Sequence, residues 1–443
     1  MSKNKLIFLL TLAAFIAYGT SLRYGFSQDD WFHLSISHAT NFSQFINFFN
    51  PTSVTWIFFR PLSTQLPYWL AMCFFPLSTA PYFMHAVMLI IHIINAYLVV
   101  HIARKYLRDQ FAVFLGIVYA LSTLHFLSLF YIGAIQQLIS TLFSLLAIAL
   151  FTRQRTPSQW ILGLLTLGAL LSKELALRLP LILLVLSYLK DRKFYPTLTR
   201  VVGPIIVTLL YLSMRYLLGT QLASEYDLVF SLGTALATLM WYGLFLLGFP
   251  ERLLSYGLSL GKINFSGFIV ESGPTAWLVV LSASIILYLC FKRFYASFKS
   301  HSLWSDLVFP GLAVLSLTPV LFLPTHRYPH YLDLAILFVG IWLLQELSKF
   351  NWPARLTFGF VCLGMLAGIG IEARTHWTIQ RSIVSRQISQ EILQSGQCSD
   401  PAGIVFRGTS VELRELSYAL SNENGPRVIC QNPALQVYYK NQP

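Results

Sequence analysis

Long apolar runs separated by short polar loops occupy most of this chain. Runs of roughly 18–20 apolar residues predict transmembrane helices, because about 20 residues at 1.5 Å rise cross the hydrocarbon core. The pattern predicts about 11 spans, at 6–20, 82–103, 111–130, 136–151, 158–171, 178–189, 200–218, 276–291, 304–323, 331–347 and 355–371. The fold class expected is an all-α polytopic membrane protein. The runs at 158–171 and 178–189 are short, which predicts locally thin membrane or helices that continue into the polar SKELALRL between them.

Residues 232–249 are apolar enough to cross, but a crossing there would move the basic KRFYASFK (292–299) to the other face. That segment is therefore expected to be re-entrant or surface-lying. From about residue 372 the pattern turns polar, and GIVFRG, VELRELSYALSNENG and PRVIC predict a strand, a helix and a strand. The expected organisation is a membrane domain over 1–371, with an outer loop at 21–60, and a small α/β extramembrane tail over 372–443.

Composition sharpens this picture. With 56% hydrophobic residues, a soluble fold could not hide its apolar surface. A net charge of +13 would suggest nucleic acid in a soluble chain. Here the Lys and Arg collect in short loops: 104–109, 153–155, 190–193, 292–299 and 349–355. The positive-inside rule accounts for them, and no nucleic-acid partner is expected. MSKNK followed by Leu6–Tyr18 lacks a small-residue cleavage site and reads as an uncleaved first span with its N-terminus in the cytoplasm. An odd number of spans puts the C-terminus outside. Compact size and the lack of targeting signals point to a bacterial inner membrane with a periplasmic tail. There Cys398 and Cys430 could form a disulfide, with two unrelated buried thiols as an equal alternative.

Only 11% of residues are charged, so clusters at one face carry meaning. Four clusters share the outer side. The 21–60 loop carries Asp29, Asp30, His33 and Arg60. SKELALRLP carries Lys173, Glu174 and Arg178. The 219–231 loop carries Glu225 and Asp227. THRYPHYLD carries His326, Arg327, Tyr328, His330, Tyr331 and Asp333. Carboxylates facing cations and phenols suit group transfer from a lipid-anchored phosphate: cations stabilise the leaving group, and a carboxylate takes the acceptor's proton. Neighbours on a helix diverge by about 100°, so Asp29 and Asp30 divide their tasks. One serves as base; the other orients a loop, pairs with a cation or holds a metal.

Plainer roles exist for each residue. The aspartates could cap a helix, and Arg60 could snorkel to the headgroups. Lys173 and Glu174 could form a local ion pair, and the tyrosines could be belt residues. His85 and His92 read as helix-packing groups. No HExxH, CxxC or other tight ligand spacing demands a metal, which leaves a divalent ion open.

QDDWFHL (28–34), FRPL (59–62), HAVMLIIHIINA (85–96), SKE (172–174) and HRYPHYL (326–332) together resemble the GT-C glycosyltransferases. These are multispan enzymes using polyprenyl- or dolichyl-phosphate sugars. Nearest in pattern are the protein O-mannosyltransferases, their repeat-bearing relatives, and bacterial lipid-A and lipopolysaccharide sugar transferases. The resemblance covers roughly residues 1–345. It implies Asp29 or Asp30 as catalytic base, with Lys173, Arg327 and Arg60 holding the donor phosphate. Arg178 and His326 join them as neighbouring cations, and His33, Glu174, Tyr328, His330 and Tyr331 as orienting groups. The chain departs from the pattern at Met88, where an Asn is common, and in lacking a helical-repeat domain.

The function expected is inverting transfer of a sugar from a polyprenyl-phosphate donor to a glycan, glycolipid or exported-protein acceptor. A lipid-linked sugar transporter or flippase would need no base and would show internal repeats. A ligase or polymerase using a lipid diphosphate would carry a large Arg- and His-rich outer loop late in the chain.

Overall fold

The computed structural model describes residues 1–53, 58–153, 157–191, 198–218, 226–259, 262–299, 306–347 and 354–441. Glu225, Arg155, Arg192, Lys193 and Lys349 lie outside the described residues.

Five helices among the described residues are long and apolar enough to cross a membrane: Lys3–Arg23, Ala80–Ala103, Ile132–Arg153, Thr275–Lys299 and Leu356–Thr375. Asp109–Leu121 and Thr123–Phe130, bent by 42°, form a sixth if they make one broken span. Side chains such as Phe8, Phe15, Trp277 and Phe291 stand more than half exposed on these helices. In water that would be an aggregation surface; on a spanning helix it is the lipid-facing side.

The remaining expected spans are shorter. Gln159–Leu170, Val202–Leu217 and Ala335–Leu347 hold 12, 16 and 13 residues. Gln159–Leu170 and Val202–Leu217 pack on each other. A Cβ at Gly203 would run into the Gln159 carbonyl, so glycine permits the close approach. The run at 304–323 is not one helix. Val308–Leu315 ends after eight residues, and a 3₁₀ turn follows at Thr318–Val320 with Pro319 in its first turn. Pro319 carries no N–H and cannot continue an α-helical ladder. Residues 232–249 form the 15-residue helix Leu232–Leu246, about 22 Å long and short of the bilayer core by itself.

The described residues divide into two units. One comprises residues 1–17, 90–126 and 137–372; it holds most of the apolar helices. The other comprises residues 18–89, 127–136 and 373–443. The C-terminal residues thus fall in the same unit as the acidic loop.

Within this second unit, Ile404–Gly408 and Val437–Asn441 pair in parallel, Ile404 opposite Val437 and Phe406 opposite Tyr439. The helix Ser410–Ala419 lies between them in sequence and starts from a capping box: Thr409 accepts from Glu412 N–H, and Glu412 accepts from Thr409 N–H. PRVIC, expected as a strand, lies in the helix Asn424–Ile429 and its C-cap. A short apolar run has no periodicity to separate the two states, and the strand falls instead on VYYKN. Cys398 and Cys430 form a disulfide with Cα atoms 5.2 Å apart.

Candidate functional site

In the unit containing the acidic loop, Asp29 and Asp30 open the helix Asp29–Ile36. Carboxylates in a first turn are favoured by the helix dipole. The residue before them, Gln28, has φ 54°, a backbone state that costs a non-glycine residue roughly 1–3 kcal/mol.

The two aspartates meet opposite surroundings. Asp30 has no exposed surface. Its carboxyl accepts from Ser27 N–H at 2.8 Å and from the Tyr68 hydroxyl at 2.5 Å. Burial pushes it up to about 8 despite those bonds, so it holds its proton at neutral pH. Asp29 keeps exposed surface but is crowded by protein on most sides, and that burial raises its carboxyl. Accessible surface and crowding together describe a group open on one side only. Tyr131 hydrogen-bonds the Asp29 side chain and accepts its backbone N–H at 3.2 Å, while Arg381 and Arg60 favour its charge.

His33 lies edge-on to Tyr68, its Nδ1 3.5 Å from the hydroxyl. Burial first, and Arg60 second, lower it to about 3, so it is neutral. Arg60 donates to Gln136 Oε1 and lies 4.0 Å from the Phe58 ring centre. Gln136 in turn donates to Thr64 Oγ1 at 3.1 Å.

The other unit gathers the remaining predicted residues. Lys173 precedes a 3₁₀ turn, Glu174–Arg178, that rotates successive side chains apart. The Lys173 ammonium stands 3.4 Å from His330 Nε2 and 4.9 Å from the Tyr331 ring centre. His330 is buried; that burial, then Lys173, His125 and His326, keep it well below the usual imidazole range. Tyr328 stacks on His330 with ring centres 5.5 Å apart. Arg327 is half-buried, with no ion pair among the described residues, and its Nε has no partner there. Burial lowers its guanidinium. A cation so placed favours an anion.

Arg178 is paired within the protein. Its side chain is 3% exposed and pairs with Asp333. It also donates to the Ser316 and Tyr331 carbonyls. The break in the 304–323 run leaves carbonyls that no helix satisfies, and Arg178 takes one of them, at Ser316. Asp333 further accepts from Gln137 Nε2 at 2.6 Å and from the Thr141 hydroxyl. His326 is likewise buried, stacked on Tyr226 at 4.2 Å. Glu174 is half-buried at the start of its turn. His85 and His92 contact the Leu129 and Ala120 carbonyls, as packing groups do.

Tyr68, Tyr131, Arg381 and the Arg178–Asp333 pairing escaped the sequence reading. Each sits far along the chain from its partner, with no local spacing to mark it. Among the described residues no group of three His, Cys, Asp or Glu is placed to hold a metal ion.

No protein-family model and no curated protein matches the chain. Solved structures do. ArnT from Cupriavidus metallidurans, bound to undecaprenyl phosphate, aligns with a TM-score of 0.51 at 12% identity, over 99% of this chain and 86% of that one. The archaeal oligosaccharyltransferase AglB from Archaeoglobus fulgidus, in complex with an inhibitory peptide and a dolichol-phosphate, aligns at 0.48 and 10% identity. That match spans 97% of this chain and 64% of AglB. The alignment with ArnT shows that this chain shares its fold.

Proposed function

We propose that the protein is an inverting glycosyltransferase taking a sugar from a polyprenyl-phosphate donor to a glycan, glycolipid or exported-protein acceptor. The observation that carries this reading is the division between two adjacent carboxyls, Asp30 buried and protonated, Asp29 reachable and paired with Tyr131. A transporter of lipid-linked sugars has no use for such a base.

The step follows from that division. Asp29 takes the proton of an acceptor hydroxyl as its oxygen attacks the anomeric carbon. The bond from that carbon to the phosphate oxygen breaks, and its electron pair leaves with polyprenyl phosphate. Attack opposite the leaving group inverts the anomeric centre. Cations stabilise the charge the departing phosphate gains, the role that the resemblance to the GT-C enzymes assigns to Lys173 and Arg327. Asp30, held by Tyr68, fixes the start of its helix, and Arg178 and His326 hold the turn that carries Arg327. The undecaprenyl phosphate bound by ArnT supports the donor class. The distribution of basic loops supports action at the outer face of a bacterial inner membrane.

Purified protein in lipid, supplied with labelled polyprenyl-phosphate sugar and an acceptor extract, tests this directly. NMR of the product should show the anomeric configuration opposite to the donor's. Retention of configuration, or donor bound but never consumed, would contradict the proposal.

A further inference from the structure

One helix holds the segment that leads into the acidic pair. On Trp377–Ser395, the Ser382 hydroxyl accepts from Gly25 N–H at 3.0 Å and donates to the Gly25 carbonyl at 3.2 Å. Ser385 donates to the Phe26 carbonyl at 2.8 Å and accepts from Trp31 Nε1 at 2.9 Å. Arg381 gives Nη1 to Gln28 Oε1 at 2.6 Å. Ser385 lies one turn beyond Arg381 and Ser382, next to both on the helix surface. From the next helix, the Ala419 carbonyl accepts from Gln28 N–H at 2.9 Å.

Two of these bonds, to Arg381 and to the Ala419 carbonyl, hold a residue that needs them. Gln28 has φ 54°, and such a conformation persists only where surrounding contacts fix it. Arg381 is itself braced. Its Nε donates to Glu415 at 3.0 Å, and its guanidinium lies 5.2 Å and 4.6 Å from the Trp377 and Tyr418 ring centres. Its charge also favours the ionised form of Asp29.

We propose that the Trp377–Ser395 helix is a splint for the acidic motif, and that Arg381 is the positioning residue that holds Gln28 and so aims the Asp29 carboxylate. This rests on Asp29 being the base. A packing role alone would lower stability without touching the chemical step; the splint ties residues 25–34 and turnover to one contact.

The test compares Arg381→Gln, Arg381→Lys, Gln28→Met and the Gln28→Met/Arg381→Gln double variant in lipid. Hydrogen exchange of amides 25–34 should rise about tenfold or more in Arg381→Gln and Gln28→Met, with other protected amides unchanged. Donor turnover should fall about 10- to 100-fold with donor KM within about twofold. Arg381→Lys, which keeps a donor for Gln28, should recover most of that loss. The double variant should lose little more than the worse single one, because both remove one contact.

Unchanged exchange in both single variants would overturn the proposal. So would turnover losses that multiply in the double variant, or turnover kept within about twofold while Asp29→Asn abolishes it. Should Arg381→Gln fail to fold, Gln28→Met decides, since it leaves Arg381 and its braces in place. If wild type turns over no donor and Asp29→Asn changes nothing, the assignment of the base falls, and exchange alone then decides whether the splint exists.

Discussion

The Tyr68 hydroxyl donates to the Asp30 carboxyl at 2.5 Å, where neither residue has exposed surface. That contact belongs to Asp30 alone; its neighbour Asp29 is bonded to Tyr131 and keeps exposed surface. The burial of Asp30, which the Tyr68 bond only partly offsets, makes the protein's stability depend on pH.

Asp30 has a folded pKa near 8 against an ordinary value of 3.8. The folded state therefore keeps a proton that the unfolded chain loses above about pH 4. Stability from this group is full below that point and declines as pH rises towards 8, by several kcal/mol as an upper bound. Thermal melts in detergent should show Tm falling between about pH 5 and 9 in wild type and a flatter profile in Asp30→Asn. Equal slopes would show that Asp30 is ionised in the fold.

Tyr68→Phe removes the donor and leaves a buried carboxyl with one partner fewer. It should cost roughly 1–3 kcal/mol. Denaturation of the two proteins side by side measures this, and an unchanged midpoint would mean that water replaces the hydroxyl.

Arg178 and Arg327 should separate cleanly. Arg178→Met strands Asp333 and should destabilise by roughly 3–5 kcal/mol, with Asp333→Asn in the same chain restoring part of the loss. Arg327→Gln should leave Tm nearly unchanged and weaken binding of polyprenyl phosphate about tenfold or more, as loss of a charge-assisted contact does. Titration of each variant with the lipid, beside its melting curve, checks both halves. Equal losses of binding at equal stability would return Arg178 to the ligand.

Reduction should loosen the C-terminal residues. The Cys398–Cys430 bond closes a separation of 32 residues, a constraint of roughly 3–4 kcal/mol in the chain-entropy model. Proteolysis after reductant should cut within 396–441 first, and Cys398→Ser should reproduce that pattern without reductant.

The long spans were legible because hydropathy over about 20 residues is a strong signal. The run at 304–323 misled because composition ignores Pro319, which ends the α-helical ladder inside an apolar stretch. Arg178 looked like one more cation beside Lys173, yet the 3₁₀ turn between them sends the two side chains to different partners. Asp29 and Asp30 were legible as an adjacent acidic pair. Which one stays reachable depends on Tyr68 and Tyr131, dozens of residues away. PRVIC and VYYKN are both short and β-prone, and only pairing with Ile404–Gly408 decides between them.

The central claim is that Asp29 is the base and Asp30 its protonated support. Donor turnover and donor binding, measured in lipid for wild type, Asp29→Asn and Asp30→Asn, test it most directly. The account predicts that Asp29→Asn binds donor as wild type does and turns it over about 100-fold more slowly or worse, while Asp30→Asn, able to keep the Tyr68 bond, retains most turnover. Turnover lost in Asp30→Asn and kept in Asp29→Asn would contradict it.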